Sequence, residues 1–350
     1  MFCEITNLPP PRALPAVRLP LLVTGIAGVA GYNALGYFRS RYKIRVTGIR
    51  RDDYWPLSGD GIEPCTMTDY DRLARLFDQR GFAAVLSSES SCALKHCELD
   101  PDMARRVNVE TVSNLIRVLK NRDCRLAHLS IDLVYSGARG GAHVENDFTD
   151  PVTVYGKTMV EAEEMLLSEL PRSLILRISL PMGVSFNGHA GAIDWIQHRF
   201  AKNNPATLYY DEIRTPTYCC CMNELFERVL SADGPGSKLC GLYHAGGPRR
   251  LSLFEIAQII NRVGGYDPNL LMGCPRRDAG PIPPRAGDVT MDSSRLAQDL
   301  GHPPFVPWPL EDRWTPTDRA WHYRRDRGEG GSKRLLEKIL YRRPQGLDLC

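Results

Sequence analysis

Residues 19–35 read LPLLVTGIAGVAGYNAL, and the fold turns on what its glycines do. Leu21–Val23 is a short apolar run of the kind that forms a buried strand. After Thr24 the glycines fall at 25, 28 and 31, the spacing G-x-x-G-x-x-G, and apolar residues then recur at helical intervals. In a strand–turn–helix of this kind the first glycine permits the tight turn and the second lets the backbone approach a pyrophosphate. The third lets the helix pack closely, while the helix start offers N–H groups and partial positive charge. Gly25, Ala27, Gly28, Val29 and Gly31 are therefore the candidate dinucleotide-binding residues.

Outward from this turn, strand and helix patterns alternate. KIRVTGIRR reads as a strand, DYDRLARLFDQRG as a helix and FAAVLSS as a strand. DPDMARRVNVETVSNLIRVLKNR reads as a long amphipathic helix opening at Asp100 and Pro101, and CRLAHLSID as a strand. Crossovers long enough to be helices imply a parallel sheet covered on both faces. The expectation is an α/β chain: a doubly wound, Rossmann-type parallel sheet with a smaller C-terminal substrate domain.

Its parts are an N-terminal arm over 1–18 and a nucleotide-binding domain over 19–178, with a returning segment near 211–240. An interleaved substrate-binding part covers 179–310, and a basic, peripheral tail covers 311–350. In the second half PRSLILRISL and GLYHAGG read as strands and NELFERVLSA as a helix. SLFEIAQIINRVGG reads as a helix with a serine cap and a glycine stop. No internal repeat is present.

Bulk properties narrow the function classes. The 350 residues carry 44 basic and 41 acidic side chains, a net charge of +3, so the totals point to neither nucleic acid nor an anionic membrane. Eleven cysteines without a Cys-x-x-Cys, and eight histidines without metal-ligand spacing, favour reduced thiols and no metal centre. The first twenty residues lack the apolar run of a signal peptide, and no segment approaches the roughly 18 apolar residues of a membrane span. A cytoplasmic location is expected.

The end of the second strand selects the dinucleotide. An acid there would bond the ribose hydroxyls of NAD, whereas this chain has GIRRDD, with Arg50 and Arg51 placed to pair with a 2′-phosphate. NADP is favoured over NAD, the alternative being that Asp52 or Asp53 turns to the ribose.

TGIAGVAG, HLSIDLVYSG, DPVTVYGKT, EAEE, LRISLPMG, IRTPTY and PPRAGDVTMDSSRL, in that order across about residues 20 to 310, carry a resemblance. The chain resembles the extended short-chain dehydrogenases of the dTDP-4-dehydrorhamnose reductase type, which act in dTDP-rhamnose biosynthesis. It is also similar to the regulatory β subunit of methionine adenosyltransferase, which binds NADP on the same scaffold and serves a catalytic partner.

The resemblance implies oxidoreductase chemistry on a nucleotide-linked 4-keto sugar. In that pattern a tyrosine donates a proton to the ketone, a serine or threonine hydroxyl holds the carbonyl oxygen, and a lysine four residues after the tyrosine lowers its pKa. Tyr155 matches the proton donor, but Ile131 stands at the hydroxyl position and Met159 at the lysine position. Lys157, two residues from Tyr155, is turned about 200° away on a helix. Ser130 faces the opposite side of a regular strand from Ile131.

Arg214 and Arg285 are candidate substrate-binding residues, each able to hold a diphosphate or to pair with a carboxylate. Glu89, near the dinucleotide path, is either a surface acid or a new polar group in an altered pocket. Two functions follow: an NADP-dependent reductase with weakened machinery, or an NADP-binding regulatory or scaffolding subunit. The partner is accordingly a nucleotide sugar or another protein, and a homodimer is compatible with both.

Overall fold

Alternate residues of the apolar runs part to opposite sides of one sheet. Leu21, Val23, Ala84, Leu86, Ala127, Leu129, Leu174 and Leu176 enter one core layer, and Leu22, Val85, Leu126 and Ile175 the other. That is the period-two pattern of strands buried on both faces.

A computed structural model describes residues 16–53, 56–188, 191–325 and 331–341. The strands are β1 (Leu21–Val23), β2 (Val46–Arg50), β3 (Ile62–Pro64), β4 (Ala84–Ser87), β5 (Arg125–Ile131) and β6 (Leu174–Ile178). Then come β7 (Pro181–Met182), β8 (Ala206–Tyr209), β9 (Ile213–Arg214), β10 (Thr217–Tyr218), β11 (Gly241–Ala245), β12 (Leu251–Ser252) and β13 (Leu271–Cys274). The helices are α1 (Val29–Tyr42), α2 (Tyr70–Arg80), α3 (Leu94–Leu99), α4 (Pro101–Arg105), α5 (Thr111–Leu119) and α6 (Val154–Glu169). They continue with α7 (Ala192–Ala201), α8 (Cys219–Val229), α9 (Leu253–Gly264), α10 (Ser294–Leu300) and α11 (Lys333–Tyr341).

The main sheet runs β11-β6-β5-β4-β1-β2-β3, with every pairing parallel. From β1 the chain winds outward through β2 and β3, then crosses to β4 and winds the other way. The loops after β1 and β4 therefore diverge, opening the crevice in which open α/β sheets bind ligands. β3 was not anticipated, since three residues ending in proline at a sheet edge carry no readable period. The shorter strands form separate pairs, β7 with β10, β8 with β13 and β9 with β12. The long helix expected from Asp100 is interrupted by a π-turn at Arg106–Glu110 between α4 and α5.

The described part of the C-terminal segment, 311–325 and 331–341, is not a peripheral tail. Trp314, Trp321, Leu336 and Leu340 are buried, and the Trp308 indole N–H donates to the Leu340 carbonyl at 3.0 Å. Leu335, Leu336, Ile339 and Leu340 form one face of α11 in the same core layer as α9, and the surrounding basic residues mask that stripe in the sequence. Residues 326–330 and 342–350 of this segment, and residues 1–15 of the N-terminal arm, lie outside the described residues. Among the described residues no helix is long and apolar enough to cross a membrane.

Because Leu340 is fully buried, Leu340→Ala should cost about 2–5 kcal/mol in urea unfolding, whereas Lys338→Ala, on the exposed face, should stay within about 0.5 kcal/mol. Equal midpoints for the two variants would mean that α11 contributes nothing to the core.

Candidate functional site

The glycine turn is built by exclusion. Gly25 has φ +64°, and a Cβ there would lie 2.2 Å from the Ser88 carbonyl oxygen and 2.5 Å from the Glu89 nitrogen. A Cβ on Gly31 would lie 2.4 Å from the Gly25 carbonyl oxygen, so α1 can approach the turn only without one. At Gly28 an added Cβ meets only Gly25 O, at 3.4 Å, so that glycine leaves its outer side open. Thr24 ties the turn to the loop after β4, its hydroxyl oxygen accepting from Ser88 N at 3.1 Å and Glu89 N at 3.3 Å. Gly28 is the N-cap of α1, with no side-chain cap and no acid in the first turn, and partly buried Ala27 and Val29 flank it. A helix start with no side chain on its N–H groups suits an anion.

At the end of β2, Arg50 donates to the carbonyls of Arg51 (2.8 Å) and Asp52 (3.1 Å). Arg51, half exposed, pairs with Asp53 through Nε (3.0 Å) and Nη2 (2.5 Å). Asp52 accepts from Arg72 at 2.8 Å and from the Thr66 hydroxyl at 3.1 Å. Both aspartates thus have cationic partners, and an exposed pair such as Arg51–Asp53 is weak enough to be exchanged for a ligand phosphate. Glu89 is partly buried. Burial pushes its carboxyl up, while the Gly25 N–H and the Arg51 guanidinium draw it back.

Tyr155 sits in the first turn of α6, whose N-cap Thr153 accepts from Gly156 N at 3.0 Å. Gly156 fits because a Cβ there would be 2.3 Å from the Leu133 carbonyl oxygen, so α6 lies directly on the turn after β5. Tyr155 and Met159 are 3% and 2% exposed, in one apolar cluster with Leu133, Val134 and partly buried Ile131. Burial raises the Tyr155 phenol above its ordinary value, the neighbouring Cys92 adds to this, and the Ser90 hydroxyl opposes it.

Neither substitute from the sequence reaches the phenol. Lys157 is exposed on the far side of α6, and Ser130 donates to Glu163, which is paired with Arg177 at 2.7 Å. Ser90 and Cys92 were missed. Their signal lies in SSESSC, where polar residues occupy a stretch usually small and apolar. Asn108, on the π-turn, accepts from Ser91 N (2.7 Å) and donates to the Thr158 hydroxyl (2.8 Å), joining the β4 loop to α6.

Arg214 is buried with its charge spent inside the protein. It reaches Asp132 at 3.3 Å and Glu212 at 2.8 Å, and Asp132 also accepts from the Ser179 hydroxyl at 2.6 Å. Arg285, one-quarter exposed, lies 3.7 Å from Glu212 and over the Tyr209 ring at 4.8 Å. The structure thus joins Arg214 and Arg285 through Glu212. Gly31→Ala should lower the melting temperature by several degrees, because backbone must shift, whereas Gly28→Ala should leave it nearly unchanged. Calorimetric melts of the two variants check this, and the reverse order would refute the assignment of the glycines.

Comparison with known proteins accords with this arrangement. Residues 19–309 match the family described as RmlD substrate binding domain. The chain is 28% identical over 242 residues to a dTDP-4-dehydrorhamnose reductase of Aggregatibacter actinomycetemcomitans, covering 68% of this chain and 76% of the relative. It is 24% identical over 286 residues to methionine adenosyltransferase 2 subunit beta of Danio rerio, covering 79% and 83%. A dTDP-4-dehydrorhamnose reductase of Bacillus anthracis, solved in complex with NADP, superposes with a TM-score of 0.68 at 17% identity, covering 82% of this chain and 95% of that one. With the match spanning the main sheet, the glycine turn and the Arg214–Arg285 region, the chain belongs to the RmlD substrate binding domain family.

Proposed function

We propose that this protein binds NADP in the crevice between the glycine turn and the β4 loop, and a nucleotide-linked 4-keto sugar over Tyr155, with weakened hydride-transfer machinery. The observation that carries this reading is the setting of Tyr155, buried against Met159 and Ile131 with its phenol raised by burial.

Gly25, Ala27, Gly28, Val29 and Gly31 would hold the pyrophosphate, and Arg50 and Arg51 the 2′-phosphate. The uncapped start of α1 and the open side of Gly28 support that fit. When bound, the reduced nicotinamide supplies the hydride. Tyr155 then has to give its proton to the developing alkoxide, and it must do so without the ammonium that would stabilise the phenolate. The carbonyl oxygen also lacks the hydroxyl that Ile131 replaces. Arg285, the more exposed of the two arginines, would meet the diphosphate, and Arg214 would position it through Glu212.

A second reading, a silent NADP-binding regulatory or scaffolding subunit, is favoured by the similarity to the zebrafish subunit over most of the chain.

The two readings share the cofactor. NADPH should bind more tightly than NADH, and neutralising Arg50 and Arg51 together should cost about 1–3 kcal/mol of NADPH affinity. Gly28→Val should abolish binding in a folded protein. Equal calorimetric affinities of the native protein for NADPH and NADH would refute the role of the arginines.

For the chemistry, Met159→Lys with Ile131→Thr should speed reduction of a dTDP-4-keto sugar by about 10² or more and shift the pH profile downward, as Tyr155 gains a positive neighbour. Native turnover at an ordinary reductase rate, unchanged by Met159→Lys, would show that the machinery is not weakened. NADPH binding with no turnover in the native protein would favour the regulatory reading.

A further inference from the structure

The two aspartates after β2 are held in different ways. Asp53 is paired inside its own loop, with Arg51 two residues before it at 2.5 Å. Asp52 is tied to another part of the fold. Its N–H donates to the Thr66 hydroxyl oxygen at 3.0 Å, that hydroxyl donates back to the Asp52 carboxylate at 3.1 Å, and Arg72 donates to the same carboxylate oxygen at 2.8 Å. Thr66 lies in the connection from β3 to α2, where the Asp69 N–H donates to its carbonyl at 3.0 Å, and β3 is paired to β2 at Arg50–Pro64. An exposed pair of two side chains exchanges readily, whereas a carboxylate gripped from both a turn and a helix has to give up both at once.

Arg72 is poorly placed for the helix that carries it. It stands in the first turn of α2, where the positive end of the helix dipole repels a cation, and Asp69 already caps that end, accepting from Arg72 N at 3.0 Å. What its guanidinium gains there is Asp52.

An acid just past the second strand is the group that would bond the ribose hydroxyls of NAD and repel the 2′-phosphate of NADP. Asp52 stands at that place, one residue past Arg51. We propose that Arg72 is the positioning residue that sets cofactor choice: with Thr66 it holds the Asp52 carboxylate against the β3–α2 connection and neutralises it, leaving Arg51 to be exchanged from Asp53 to the 2′-phosphate. This rests on the NADP site proposed above. Removing Arg72 frees a carboxylate with two effects of opposite sign, weakening NADPH by repulsion and strengthening NADH by accepting from its ribose hydroxyls. A merely structural role for Arg72 would move both affinities the same way.

The test is calorimetric titration of NADPH and NADH into the native protein, Arg72→Met, Asp52→Asn and the double variant, with Gly28→Val marking the site and circular dichroism checking the fold. Arg72→Met should lower the ratio of NADPH to NADH affinity by about tenfold or more, with NADPH weakened and NADH tightened. Asp52→Asn should not weaken NADPH. In the double variant the carboxylate is gone, so NADPH affinity should return close to the native value and the gain for NADH should vanish. If the native protein prefers NADPH and loses it in Gly28→Val, but Arg72→Met keeps the native ratio or moves both nucleotides alike, the role of Arg72 is overturned and the NADP site stands. A shift that persists in the double variant would also overturn it, since Arg72 would then act without Asp52. If the native protein binds neither nucleotide, or both equally, the NADP reading fails and the role of Arg72 falls with it.

Discussion

The contact on which the rest of the molecule depends is the one between Gly25 and the Ser88–Glu89 peptide. The parallel neighbours β1 and β4 leave the sheet side by side, and their loops touch at backbone distance before they diverge. With a would-be Cβ 2.2 Å from the Ser88 oxygen, that contact tolerates no side chain at position 25. Next to it, α1 can start where it does only because Gly31 has no Cβ to meet the Gly25 carbonyl and the Ser88 hydroxyl. The place of the first-turn N–H groups of α1 follows from that contact.

On the proposed reading, binding geometry and reaction chemistry are carried by different elements. The glycine turn depends on backbone shape, which α1, β1 and β4 hold in place. Acid–base chemistry depends on two side chains at the ends of β5 and α6, and Ile131 and Met159 fill those positions with hydrocarbon. Nothing in the packing opposes this replacement. The cluster around Tyr155 is apolar, and isoleucine and methionine suit it better than the groups whose places they take. Burial in that cluster pushes the Tyr155 phenol above its ordinary value.

The strands and helices of the first half were legible because each is long enough to show its period, and the glycine spacing marked the junction between them. The π-turn at Arg106–Glu110 was not legible, since it inserts one residue into a helix without disturbing the apolar pattern. The α11 stripe was hidden among basic residues, and the tryptophans that bury with it stand in proline-rich, aperiodic text. At the candidate site, residue identity alone exposed Ile131 and Met159, because a missing lysine is visible in a string of letters. The placement of Glu89, Ser90 and Cys92 depends on how the β4 loop folds back over the crevice, which no local pattern encodes. The engagement of Arg214 with Asp132 and Glu212 is likewise a meeting of distant segments.

Helix α6 carries Tyr155 and Met159 at one end and Glu163 two turns after Tyr155. Glu163 is clamped by Arg177 and Ser130, while Asn108 holds the helix at Thr158. The helix cannot rotate about its axis without breaking that clamp, so any side chain introduced at position 159 must project beside the phenol. In the genetic code, methionine and lysine codons differ by a single base, as do isoleucine and threonine codons. On the proposed reading, two point mutations would therefore supply both reactive groups on a scaffold that already aims them.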